Sequence, residues 1–121
     1  MKTEVIFDKL GKIDKIRIHK FLIRSGDGFK IVDDPAEINK LIGLLQQPFE
    51  KCEVFVDSPQ LRMFRVALYR KEKMVLGIPV AGNFVKKDDD WYFTTNPSLL
   101  REIINQTKGI PLKKMKVKIL W

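Results

Sequence analysis

The chain holds one histidine, His19, and one cysteine, Cys52. A structural zinc site takes four Cys or His ligands, so these two cannot assemble one. Together they have the residue types of a thiolate nucleophile and its base. No local pattern supports that pairing. His19 reads as a strand residue beside Arg17, and Cys52 as a small core residue ahead of an apolar stretch. Gly26-Asp27-Gly28 lacks the strand–loop–helix context and the Lys-Ser/Thr pair that cradle a phosphate. Asp88-Asp89-Asp90 offers carboxylate oxygens to a hard cation, without the calcium-loop pattern or its distal Glu. No two carboxylates are spaced as an acid–base couple. The expectation is a chain with no catalytic, metal or cofactor site.

The chemistry that remains is cationic. The 121 residues include 23 Lys and Arg against 15 Asp and Glu, for a net charge of +8. Arg62, Arg65, Arg70, Lys71 and Lys73 lie along and after one alternating stretch, and Lys113, Lys114, Lys116 and Lys118 line the last one. Lys86 and Lys87 stand near Trp91-Tyr92. Side chains two apart on a strand share a face. If the strands bearing Arg65 and Lys116 present the same face, Arg62, Arg65, Lys114, Lys116 and Lys118 form a cationic platform carrying Tyr69, with His19 or Tyr92 beside it. Such a platform fits an acidic protein, such as the target of an inhibitor, immunity or regulatory protein. An anionic membrane surface has the same charge. The alternative partner is a nucleic acid, with its backbone on Lys and Arg and its bases stacked on aromatics. The RRM, KH and helix-turn-helix signatures are missing, which ranks the acidic protein first.

The elements that must carry these residues follow from period. Ile16 and Ile18 alternate with Arg17 and His19 in the strand-like run Lys15–Ile23. Ser25-Gly26-Asp27-Gly28 reads as a turn leading into Phe29–Val32. A helix should start at Pro35 with Asp33 or Asp34 as cap. Its stripe is Ile38, Leu41, Ile42 and Leu45, and Gln46-Gln47-Pro48 ends it. A second helix takes Asn96 as cap, Pro97 as first residue and Leu99, Leu100, Ile103 and Ile104 as stripe, stopping at Lys108-Gly109. Leu41, Ile42, Ile103 and Ile104 are expected to be nearly inaccessible. Between the helices come Val54–Val56, the alternating Phe64, Val66 and Leu68, a turn at Lys71-Glu72-Lys73, and Met74–Val80 with Pro79 marking an edge or bulge. Phe84-Val85 and Trp91–Phe93 flank the acidic turn. Met115, Val117, Ile119 and Trp121 then alternate with lysines in a closing strand.

The two helices also sit at equivalent places in a longer pattern. Shifting the first half by 62 positions lays Pro35 on Pro97, Leu41 on Ile103 and Val5-Ile6-Phe7 on Ala67-Leu68-Tyr69. Each half then reads strand, strand, strand, helix, strand. The expected fold is α+β: one domain over residues 1–121, an antiparallel twisted sheet with two helices on one face, and pseudo-repeats 1–59 and 60–121. A chain of this length can bury a real core.

Residues Met1–Asp8 lack the long apolar region of a signal peptide, and the lone cysteine asks for no oxidising compartment. Cytoplasm is the expected location, with an exported mature domain as the alternative. The run Lys15-Ile16-Arg17-Ile18, then Val32-Asp33-Asp34-Pro35-Ala36-Glu37-Ile38-Asn39-Lys40-Leu41, then Trp91-Tyr92-Phe93 leading into Leu99-Leu100-Arg101-Glu102-Ile103-Ile104, resembles small α+β domains of Gram-positive bacteria. Several of those are the mature parts of lipoproteins. The resemblance spans residues 13–106 as pattern. It implies a non-enzymatic accessory or interaction domain and carries no catalytic residue across.

Overall fold

Apolar residues at every second position build the sheet. Ile16 and Ile18, Phe64, Val66 and Leu68, and Ile78 and Val80 are all buried. Cross-strand pairing puts them side by side, with Ile18 opposite Val66 and Val66 opposite Ile78. The computed structural model describes residues 3–22, 25–53 and 63–109. Its strands are β1 (Thr3–Glu4), β2 (Lys15–Leu22), β3 (Ser25–Val32), β4 (Phe49–Lys51), β5 (Met63–Arg70), β6 (Lys73–Ala81), β7 (Phe84–Lys87) and β8 (Asp90–Phe93). They form one antiparallel sheet in the order β1-β4-β8-β7-β6-β5-β2-β3. Helices α1 (Pro35–Leu45) and α2 (Ser98–Gln106) both cover its apolar face. Ile38, Leu41 and Leu45 of α1 and Leu99 and Ile103 of α2 enter the same cluster as the strand residues. The α+β class and the antiparallel sheet with two helices are therefore as expected from period.

Leu41 and Ile103 have no exposed surface, whereas Ile42 and Ile104 are only half-buried against the core. They lie at the flank of each stripe, not its centre. Pro35 opens α1, and Ile38 N donates to Asp34 O (2.9 Å) without a side-chain cap. In α2 the cap position belongs to Pro97, one residue later than expected; the Asn96 side chain instead accepts from Ser98 N (3.0 Å) as a local turn. Thr107 closes the helix by donating Oγ1–H to Ile103 O (2.9 Å).

The central strands β5 to β8 form a meander with two-residue turns. Lys71-Glu72 and Asp88-Asp89 all have positive φ, between 50° and 70°. This is the pattern of a type I′ turn, whose twist matches that of the strands. Ser25–Gly28 is not a turn; these residues belong to β3, with Ser25 opposite Leu22 and Gly28 opposite Lys20. Pro79 lies inside the sheet, opposite Arg65. β7 reaches only Val80 and Ala81, so β7 asks for no amide donor at that proline.

The halves are not arranged alike. The four strands of the second half are contiguous at the centre, while β1 and β4 of the first half stand at one margin and β2 and β3 at the other. The strand–Pro–helix junction recurs, but the duplicated topology expected from it does not. Val54–Val56 and the closing lysine strand lie outside the described residues. β4, absent from the sequence-based expectation, places fully buried Phe49 edge-on against Phe7, with centroids 6.2 Å apart.

Val5-Ile6-Phe7 is not a strand either. Residues 5–14 carry the chain from β1 at one margin to β2 near the other, burying Ile6, Phe7 and Leu10 on the helix side. Crossing strands, their carbonyls find side-chain donors. Lys87 Nζ donates to Ile6 O (2.6 Å) and Gln46 Nε2 to Phe7 O (3.2 Å). Arg70 donates from Nη2 to Leu10 O (2.8 Å) and from Nε to Lys12 O (2.7 Å). Gly11, at φ +65°, lies under this guanidinium, and a Cβ there would collide with Arg70 Nη2.

α1 and α2 are joined by Lys40 Nζ to Glu102 Oε2 (3.0 Å), and Gln106 Nε2 donates to Glu102 Oε1 (3.1 Å). Burial pushes the Glu102 carboxyl up, but the hydrogen bonds from Gln106 and Lys40 and the Lys40 charge outweigh it, leaving the group below its ordinary value.

Three outcomes are expected. Leu41→Ala should cost about 2–5 kcal/mol in urea unfolding, from lost transfer energy plus a cavity. A loss below about 1 kcal/mol would remove Leu41 from the core. Arg70→Ala should cost about 1–3 kcal/mol and speed amide exchange selectively in residues 8–13; unchanged exchange there would show that Arg70 does not hold the segment. A carboxylate with a depressed folded pKa stabilises above its unfolded pKa and loses that contribution as pH falls through the folded one. The acid limb of the stability curve should therefore be shallower in Glu102→Gln than in the parent chain, and identical limbs would refute the role given to Glu102.

Candidate functional site

The alternation that buries Ile16, Ile18, Val66 and Ile78 sends their neighbours to the opposite face, which no described helix covers. Register fixes which side chains meet there. Phe29 of β3 stands opposite His19 of β2, His19 opposite Arg65 of β5, and Arg65 opposite Pro79 of β6. In the next row Ile31, Arg17, Ala67 and Gly77 follow one another. β2, β5 and β6 contain no Asp or Glu at all. Of the acidic groups at the margins, Glu72 is held by Lys15 Nζ (2.9 Å).

The cations are positioned by the rings and small residues around them. The Arg17 guanidinium lies 3.9 Å from the Phe29 ring centroid, and the His19 ring leans on the same phenyl, with centroids 5.7 Å apart. Arg17 Nε is buried without a hydrogen-bond partner. Arg65 lies across Gly77, its Nη2 3.0 Å from where a Cβ would stand and 3.8 Å from Met74 Sδ. Lys15 Nζ stands 5.0 Å from the Tyr69 ring and Lys86 Nζ 6.0 Å from the Trp91 ring. Among these cations the face exposes apolar surface: Phe29 (44%), Ile31 (46%), Met63 (37%) and Met74 (50%).

Of the residues expected at the site, Arg65 and Tyr69 share this face on β5. Arg62, Lys114, Lys116 and Lys118 lie outside the described residues. Tyr92 is on the other side, opposite Val85 and packed on the core, while His19 is on the open face. Arg70 is engaged by the crossing segment, and Lys71 sits in a turn with its N–H donated to Asp14 Oδ2 (2.9 Å). Lys15, Arg17, Phe29 and Ile31 join the site from β2 and β3. Their signal was the Lys15–His19 alternation, whose polar phase is as regular as its apolar one.

The thiol of Cys52 and the ring of His19 belong to different strands' surroundings. Cys52 directly follows β4, five inter-strand steps from β2, roughly 24 Å along the sheet. Burial, then the Glu50 charge, push the thiol up, which lowers its thiolate fraction. Among the described residues no three of His, Cys, Asp and Glu are grouped to hold a metal ion. None of the described helices is long and apolar enough to cross a membrane. On the helix side, a cleft of about 320 Å³ between residues 11–14 and α1 has Ile13, Ile38 and Ile42 on its walls and Lys12, Asp14 and Asp33 among its polar groups. Asp14 there already accepts from Lys71 N. Compared with protein-family models, curated proteins and solved structures, the chain matches none.

Proposed function

We propose that the chain is a non-enzymatic interaction module that binds an acidic, partly apolar protein through the open face of its sheet. The observation that carries this is the interleaving of Arg17 and Arg65 with exposed Phe29, Ile31, Met63 and Met74 on one face, where β2, β5 and β6 contribute no Asp or Glu. Exposed aliphatic surface gains by burial against another protein. Arg17 is already stacked on Phe29, so less side-chain freedom is lost when it receives a carboxylate. A nucleic acid would want the same cations but free ring faces for its bases. Here Phe29, Tyr69 and Trp91 each have one of the chain's own cations against the ring. Methionine and isoleucine add nothing to base stacking. The balance therefore lies with protein.

The test pairs the whole chain with its Arg17→Glu/Arg65→Glu variant, after circular dichroism has shown the same fold in both. Peptides selected from a random displayed library against the parent chain should be rich in Asp and Glu among apolar residues. They should lose at least about tenfold in affinity for the variant. Salt should weaken them without abolishing binding, because the apolar contacts are not screened. Selected peptides that bind both chains equally would move the site off this face. Single-stranded DNA or RNA bound by the parent alone, with log affinity falling by about 0.7 per neutralised phosphate for each tenfold rise in salt, would replace the protein partner with a nucleic acid.

A further inference from the structure

Among the described strands the open face ends at β3. β3 pairs with β2 alone among the described strands, and none of them pairs with the outer backbone N–H and C=O groups of β3. β6 also lacks a neighbour beyond the reach of β7, but that edge is interrupted by a register shift at Leu68/Tyr69 and by Pro79. β3 is regular from Gly28 to Val32, pairing step by step from Lys20↔Gly28 to Ile16↔Val32.

The side chains on this edge state what could lie beside it. Phe29 and Ile31 project to the open face, each almost half exposed. Lys30 stands opposite Ile18 and so projects to the helix side, where it is exposed. A lysine on an edge strand discourages a second copy of the same strand, because like charges would be brought together. It favours a strand that brings a carboxylate.

Resting on the reading of the open face as the partner site, we infer that β3 receives an extended segment of that acidic partner as an added strand. The segment has the pattern apolar–acidic–apolar. Its backbone pairs with the outer edge of β3. Its acidic side chain lies beside Lys30, and the two apolar ones lie beside Phe29 and Ile31 because a strand alternates its faces. The added strand widens the open face, with the Arg17–Phe29 stack directly behind it.

The experiment uses the whole chain and short fluorescent peptides with Thr-flanked Val-Glu-Val or Val-Lys-Val centres. The Val-Glu-Val peptide is also made in two N-methylated forms, each blocking one alternate set of amides. Val-Glu-Val should bind, and Val-Lys-Val should bind at least roughly tenfold more weakly. One N-methylated form should fail and the other bind normally, since only one set of amides faces the edge. Amide exchange should slow in residues 28–32, and Lys30→Glu should reverse the preference between the two peptides. Equal loss or equal retention in both N-methylated forms, or unchanged exchange in β3, would overturn strand addition. So would failure of Val-Glu-Val to bind. The library-selected peptides, run alongside against Arg17→Glu/Arg65→Glu, report separately on the face. Their loss in that variant while β3 stays unprotected would leave the face as the site and remove only the added strand.

Discussion

The chain must cross its own sheet, and that crossing constrains the rest. β1 lies at one margin and β2 near the other, so residues 5–14 pass over the strands between them. A segment running across a ladder cannot join it, and buried carbonyls without donors are costly. Lys87, Gln46 and Arg70 supply donors to Ile6, Phe7, Leu10 and Lys12. These donors come from β7, the end of α1 and β5, so one segment ties the meander, a helix and both margins together. Ile6, Phe7 and Leu10 also fill space that two short helices would leave over an eight-stranded sheet. All of this material lies on one side, and among the described residues the other side carries side chains alone.

That asymmetry explains the character of the open face. A strand face with no layer over it would ordinarily be polar throughout. Here long cationic side chains lie flat over small or aromatic neighbours: Arg65 over Gly77, Arg17 over Phe29. Their stems and planes shield part of the apolar surface while the charged ends stay at the surface. Ala67 and Ala81 are buried on this side, Ala67 opposite Arg17 and Gly77 and Ala81 opposite Met63 and Phe84. The surface is thus neither a second core nor a plain solvated face, and it holds its charges at set places.

The sequence made the helices and the apolar phase of β2, β5 and β6 readable because each repeats its period several times. It made the meander readable through its charged turns. Three things were hidden for physical reasons. The crossing segment has no period, since its buried residues are chosen by where the backbone passes and not by alternation. β4 is too short to alternate, so no period marks Phe49. Arg70 looked like one more cation in a basic run, because only tertiary structure brings the Leu10 and Lys12 carbonyls to it. At the candidate site, Arg65 and Tyr69 followed from period alone. The contribution of β2 and β3 depended on which strand is neighbour to β5, and period does not state neighbours.

Position 11 carries two demands that differ in origin. Its φ of +65° belongs to the backbone path, while the missing Cβ makes room for a side chain that begins 59 residues later, at Arg70. Replacing Arg70 with a small residue would lift the second demand and leave the first. Asparagine, which tolerates positive φ better than other side chains, would then fit at position 11 without displacing the guanidinium. The two sites are therefore epistatic in a directed way. Losing Arg70 first leaves only the backbone demand at position 11, whereas losing the glycine first displaces the guanidinium from the Leu10 and Lys12 carbonyls. A side chain at position 11 is therefore a way of loosening the crossing segment without touching Arg70 itself.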